Sequence, residues 1–169
     1  SAGSVYSSGD GGTANTIYGN DAGIALASGG NNNVLVGNLA GTAVSTGDGN
    51  VCIGKSAGAS LATTINNVII GHEAFDAADG TENYNVVIGG AAGGAINNDL
   101  ADMNILIGQD AGAGGTGALR AAVCIGSEAV AATGSNDITG VVAVGHNALK
   151  ALTSGAGNVA IGYSAAAAL

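Results

Sequence analysis

The chain of 169 residues contains no proline, no tryptophan, one phenylalanine and only three basic residues. The shortage of cations excludes a nucleic-acid binder, because recognition of phosphates needs a basic patch. The absence of proline excludes collagen, and a hydrophobic content of 47% is too high for a disordered chain. No apolar run reaches the ~18 residues that a membrane-spanning helix needs, so we expect no membrane insertion.

In place of these features, the sequence has an internal repeat of 17–19 residues, built on the pattern apolar-Gly-x-x-Ala. This period is too short for helix-pair repeats and fits one coil of a solenoid. We predict an all-β fold, a parallel β-solenoid (β-roll or β-helix) of about nine coils over residues 15–169. Residues 1–14 form a Ser/Gly-rich segment with room for a partial coil. The glycines predicted to turn the corners are Gly19, Gly37, Gly54, Gly71, Gly89, Gly108, Gly126, Gly145 and Gly162.

Two further columns of the repeat are expected to hold the coils together. The residue four positions after each repeat Ala is mostly apolar and predicts a second, weaker strand that closes the interior. These residues are Leu26, Val44, Leu61, Ala78, Ile96, Gly115, Thr133, Leu152 and Leu169. Asn recurs four residues before the corner glycine, where stacked amides favour a side-chain ladder. The ladder comprises Asn15, Asn33, Asn50, Asn67, Asn85, Asn104 and Asn158, with Ala122 and Val141 as exceptions.

Three apolar residues precede each corner glycine and predict a short strand. Alternation sends the first and third residues to one face, which we take as the coil interior, and the middle residue to the other. The middle column is apolar in all nine repeats, and no helix or second layer is left in the sequence to cover it. It therefore predicts a self-association interface, formed by Ile17, Leu35, Cys52, Ile69, Val87, Leu106, Cys124, Ala143 and Ala160. The other interpretation is a wider interior, with loops folded over this stripe.

Few residues suggest catalysis or metal binding. His72 and His146 lie four coils apart in one column, about 19 Å, and are expected to be turn residues rather than one site. Cys52 and Cys124 are also four coils apart, which excludes an intrachain disulfide and leaves buried thiols or links between chains. An acyltransferase solenoid needs an apolar residue every six positions, which this chain lacks. Ice binding needs ladders of Thr, whereas Thr here is scattered.

The loops are where the repeats vary in length and composition, at 76–84, 97–103 and 134–140. Asp76, Asp79 and Glu82 offer clustered oxygens that fit either a weak Ca²⁺ site or a solvated acidic loop. Asp99 and Asp102, in the next loop, offer a similar pair. We expect no catalytic residue and no cofactor. Loop diversity is also compatible with binding to a surface receptor.

The string Asn-Val-Ala-Ile-Gly-Tyr-Ser-Ala at 158–165, with its relatives along the chain, resembles the repeats of trimeric autotransporter adhesin heads, phage tail fibres and bacterial surface fibres. The resemblance covers about residues 15–169. It implies a parallel β-roll or β-helix, three chains that often associate through apolar faces, and a structural or adhesive role. The coils of adhesin heads are shorter than 18 residues, so the coil cross-section is expected to differ.

Together these features predict a non-catalytic structural subunit of an extracellular fibre or filament. We expect other copies of the chain as partners, in a trimer or filament, with end-to-end stacking of uncapped coils. A receptor-binding adhesin or tail-fibre domain is the alternative. A chain with few lysines and many polar loops is typical of the cell surface, a secreted protein or a virion fibre.

Overall fold

The computed structural model describes residues 5–7, 12–78 and 80–168. Within them the chain is all-β and forms a parallel β-solenoid of short strands joined by turns, as the repeat predicts. Ten of twelve strands form one sheet in the order β1-β2-β3-β4-β5-β6-β7-β9-β11-β12. The strands are β1 (Val5–Ser7), β2 (Thr16–Tyr18), β3 (Val34–Val36), β4 (Val51–Ile53), β5 (Val68–Ile70), β6 (Val86–Ile88), β7 (Ile105–Ile107), β8 (Leu119–Arg120), β9 (Val123–Ile125), β10 (Ile138–Thr139), β11 (Val142–Val144) and β12 (Val159–Ile161).

Successive coils stack without any shift in register. Val51 pairs with Val68, and Val68 pairs with Val86, so equivalent residues of the repeat form straight columns. The 17–19-residue repeat therefore corresponds to one turn of the solenoid, and the differences in repeat length are absorbed in the loops. Backbone hydrogen bonds between coils continue past the strands, for example from Ser45 N–H to the Ala62 carbonyl at 2.9 Å.

The predicted corner glycines end the strands of this sheet from β2 onwards. All nine have φ between +128° and +146°, a conformation that side chains rarely adopt. Each carbonyl also lies against the corner of the preceding coil. A Cβ on Gly37 would lie 2.4 Å from the Gly54 carbonyl oxygen. Gly is thus required both for the turn and for the close approach of adjacent coils.

The inside and outside of the strands are the reverse of the sequence prediction. The middle residue points into the core, and Leu35, Ile69 and Leu106 are fully buried. The first and third residues face outward, with Ile53 37% and Ile105 39% exposed. The predicted self-association stripe is therefore core rather than surface. The residues reassigned to the interior are Leu35, Cys52, Ile69, Val87, Leu106, Cys124, Ala143 and Ala160, with the partly buried Ile17 packed against them.

The physical reason for this reversal is the ladder Asn that precedes each strand. Asn67 is fully buried, so alternation places Val68 outside, Ile69 inside and Ile70 outside. The coil is narrow, and the repeat Ala and the residue four positions later already occupy the interior. Ala57 and Leu61, for example, are both fully buried. One inward side chain per strand fills what space remains.

The predicted second-strand column closes the interior but does not form a strand in the described residues. Its buried members are Val44, Leu61, Ala78, Ile96, Thr133 and Leu152, while Leu26 is partly buried and packs on the core and Gly115 is partly buried. Leu169 lies outside the described residues. Strands away from the main sheet are instead β8 and β10, which pair in parallel.

The N-terminal strand runs against the direction of the coils. β1 pairs antiparallel with β2, with Tyr6 opposite Ile17. A partial coil would pair in parallel, so Val5–Ser7 forms a reversed edge strand on the main sheet rather than part of a coil. Residues 1–4 and 8–11 of the Ser/Gly-rich segment lie outside the described residues.

Candidate functional site

The outward face of the main sheet is the largest regular surface feature of the described residues. Across β3 to β12 of this sheet, both outward positions of every strand are Val or Ile, sixteen residues with no charge among them. The adjoining strand β2 contributes Thr16 and Tyr18. We call this surface the outer aliphatic face. Its residues are Val34, Val36, Val51, Ile53, Val68, Ile70, Val86, Ile88, Ile105, Ile107, Val123, Ile125, Val142, Val144, Val159 and Ile161.

The outer aliphatic face is flat and continuous. Its eight strands at about 4.8 Å spacing make it about 34 Å tall. Side chains of the inner rows shield one another, so Ile125 is 36% exposed, whereas Ile161 in the last strand is 70% exposed. Soluble monomers rarely leave an apolar patch of this extent in water.

A column that is polar in most coils runs along one border of the face, at the two positions after each corner glycine, and is interrupted by Gly90 and Ala91 after β6. Lys55 contacts Glu73 at 3.5 Å, and His72 lies at the same distance from Glu73. Farther along, Lys150 pairs with Glu128, and this hydrogen bond lowers the pKa of Glu128. The face is thus an apolar centre with a charged rim, the usual anatomy of a protein interface.

The histidines do not form a joint site. His72 is 59% exposed beside Glu73, and His146 stacks on Tyr163 with ring centroids 5.3 Å apart. They occupy the same column at β5 and β11, four coils apart.

The asparagine ladder is confirmed from Asn15 to Asn104. In each step the side-chain oxygen accepts the backbone N–H of the next ladder residue, as from Asn50 N–H to Asn33 Oδ1 at 2.9 Å. The side-chain nitrogen donates across the coil to a carbonyl, as from Asn50 Nδ2 to Thr64 at 2.7 Å. All six amides are buried or nearly so. The ladder therefore satisfies backbone groups that the closed coil would otherwise leave without partners.

The ladder stops at the two exceptions in the repeat, and the structure shows what replaces it. Ala122 N–H still donates to Asn104 Oδ1 at 3.0 Å. Beyond that point Leu119 and Ile138 are buried in the space that the amides use elsewhere, and β8 pairs with β10. Asn158 lies past this interruption and does not continue the ladder from Asn104.

Both cysteines are free thiols inside the core, in the middle column of β4 and β9. Their full burial supports the interpretation as small hydrophobic residues and opposes links between chains. Burial raises the pKa of Cys52 and Cys124 to about 12.

We therefore expect the thiols to resist alkylation in the folded protein. At neutral pH, a pKa shift of this size lowers the thiolate fraction by about three orders of magnitude relative to an unfolded chain. Iodoacetamide followed by mass spectrometry should show unmodified native protein and two modified cysteines in guanidinium. Rapid labelling under native conditions would contradict the buried middle column.

Of the three predicted Ca²⁺ residues, the structure describes Asp76 and Glu82. Asp79 lies outside the described residues. Burial raises the pKa of Asp76, and its nearest charges are Glu73 and His72, whereas the charge nearest Glu82 is Asp99. Within the described ranges, no group of three or more His, Cys, Asp or Glu side chains is arranged to hold a metal ion.

The outward Val and Ile residues are the functional candidates that sequence reasoning placed on the wrong side. The signal that identifies them is the Asn before each strand: a column of amides that must bond to the next coil has to be buried. Counting from that Asn gives the correct alternation.

The part of the chain that the structure describes has no helix that could cross a membrane.

Comparison with known proteins identifies no relative of this chain. The chain matches no protein-family model, no curated protein and no solved structure.

Proposed function

We propose that this chain is a non-catalytic structural subunit of an extracellular fibre, and that copies of it associate through the outer aliphatic face. The observation that carries the proposal is the pair of uninterrupted Val and Ile columns on the exposed side of the sheet. Inward residues already fill the core, so these outward columns are not needed to close the coil. The resemblance to adhesin-head and tail-fibre repeats supports the same role.

The regular spacing of the face favours a second copy as its partner. The Val and Ile rows repeat at the strand spacing of about 4.8 Å over eight strands. Side chains of a partner can interdigitate with all of these rows only if the partner has the same period. Burial of apolar area stabilises such a contact by roughly 25 cal/mol per Å² before the entropic cost of association.

Sedimentation velocity of outward variants tests the proposal. Ile53→Asp and Ile105→Asp each place a carboxylate on the face, where burial against an apolar partner is unfavourable. Both residues are more than one-third exposed, so we expect the variants to fold. The wild-type chain should sediment as an oligomer, and the double variant should shift to monomer, with an affinity loss of at least tenfold for each substitution.

Leu100→Asp is the matched control, because Leu100 is 55% exposed in a loop away from the main sheet. It introduces the same charge into the same kind of residue and should leave the assembly unchanged. A monomeric wild-type chain, or equal effects of the loop and sheet variants, would refute association through the face. The sedimentation coefficient also distinguishes a trimer from a filament.

Receptor binding through the loops is a second candidate function, and one structural observation favours it. Tyr84 and Met103 are 54% and 48% exposed, and occupy equivalent positions in adjacent coils. Both have φ of +60°, where the other coils place Gly, Asn or Ala. Large apolar side chains held in this conformation at a surface are typical of binding sites. Exchange of loops 76–84 and 97–103 for residues 58–66 should abolish attachment to a host surface if this function operates, and leave oligomerisation intact.

A further inference from the structure

Glu82 is a carboxylate in a column that otherwise contains small or apolar residues. The equivalent positions in neighbouring coils are Thr64 and Ala101, both buried, and the side chain of Glu82 is fully buried as well. An ionised carboxylate in such a position is costly unless it has compensating partners. The composition of the column therefore does not explain why Glu stands here.

Two carboxylates converge at this point from adjacent coils. Glu82 Oε2 accepts the N–H of Gly80 at 3.0 Å, and Asp99 Oδ1 accepts the N–H of Thr81 at 3.2 Å. A Cβ on Gly80 would lie 1.7 Å from Asp99 Oδ1 and 3.5 Å from Glu82 Oε2. Asp99 is exposed, so the pair extends from the surface to a buried oxygen.

One oxygen of the buried carboxylate lacks a partner. Glu82 Oε1 is inaccessible to solvent and makes no hydrogen bond in the described residues. Desolvation is the main effect that raises the pKa of Glu82, backbone N–H groups of Glu82, Gly80 and Asn98 lower it, and the charge of Asp99 raises it. A positive ion would relieve both the desolvation and the repulsion, and no Lys or Arg forms an ion pair with either carboxylate among the described salt bridges.

We propose that Glu82 and Asp99 bind a divalent cation, with Ca²⁺ as the best match, between two neighbouring coils. Ca²⁺ is coordinated by oxygen atoms, and backbone carbonyls and water can complete its coordination shell. Two carboxylates can therefore supply the charged ligands of the site. The ion stabilises the junction between the coil of β5 and the coil of β6, at the loops that vary most in length. This inference is independent of the outer aliphatic face.

Thermal unfolding followed by circular dichroism tests the site. Tm is measured in millimolar CaCl₂ and in NaCl of equal ionic strength, for the wild-type chain, Glu82→Gln and Asp99→Asn. Weak extracellular sites bind Ca²⁺ with Kd of about 10⁻⁴–10⁻³ M, so we expect the wild-type Tm to rise by several degrees. Each variant keeps one acceptor oxygen for the backbone N–H but loses the negative charge, and should lose the Ca²⁺-dependent rise. Without Ca²⁺, Glu82→Gln should be at least as stable as the wild type.

Asp137→Asn is the matched control. Asp137 Oδ1 accepts the N–H of Ala118 at 2.9 Å, the same contact between coils that Asp99 makes, but without a buried Glu beside it. This variant should keep the full response to Ca²⁺. No rise in the wild-type Tm overturns the proposal, as does an equal rise in Glu82→Gln and Asp99→Asn, which would show only general screening of the net charge of −9. If Glu82→Gln fails to fold, the exposed Asp99→Asn still decides the question.

Discussion

Replacement of Gly71 by Ala is expected to remove most of the stability of the fold. A Cβ at this position would lie 2.3 Å from the Gly89 carbonyl oxygen and 2.6 Å from its carbon. Both atoms are backbone of the next corner, which is itself stacked on Gly108, so relief requires the displacement of several coils. With φ at +146°, the residue is also unfavourable for any side chain. We expect a loss of at least about 3 kcal/mol, a large part of the stability of a typical domain.

Gly162→Ala provides the comparison within the same column. Its φ is +128°, but a Cβ there meets no atom within 4 Å, because no further described coil follows. This variant should lose only the conformational part, about 1–2 kcal/mol. Urea unfolding of the two variants separates the effect of stacking from the effect of backbone conformation. Equal losses would show that close approach of the corners contributes little.

The sequence was sufficient to predict the solenoid, its period and its corners, because these follow from residue types that recur at fixed spacing. Gly recurs at the nine corners because the turn there requires it, and Asn recurs because its amide bonds to the next coil. The alternation within the strand was predicted wrongly, since three apolar residues in a row carry no sign of which side faces inward. The correct assignment of Ile69 depends on Asn67, two residues earlier, being buried.

The candidate sites away from the repeat could not be predicted from pattern alone. Glu82 meets Asp99 because the loops of adjacent coils stack, and that contact depends on loop conformations that vary in length. Nor does the sequence show that β8 and β10 replace the ladder after Asn104. In both cases the local structure deviates from the repeat, where periodicity gives no information.

Replacement of Asn67 by Ala should cause the second large loss of stability. Asn67 Oδ1 accepts the N–H of Asn85 at 2.9 Å, and Asn67 Nδ2 donates to the Glu82 carbonyl at 3.0 Å. The variant leaves these buried groups of Asn85 and Glu82 without partners. Each unsatisfied buried group costs about 1–3 kcal/mol, so the two together should lower the free energy of unfolding by about 2–6 kcal/mol.

The loss of stability caused by Ala at a ladder position depends on the structure around it. The chain itself has Ala at one such position, Ala122. Next to Ala122 the local structure differs from that beside Asn67, since Ile138 N–H bonds to the Ala118 carbonyl at 2.8 Å and β8 pairs with β10. No strand pairing of this kind is found at Thr64 and Glu82 in the coils beside Asn67. Asn38→Ala is the control, because its amide is exposed and donates only to the Asn20 carbonyl at 3.3 Å. It should change stability by less than about 0.5 kcal/mol, and a loss as large as that of Asn67→Ala would show that burial of the ladder is not what stabilises the coils.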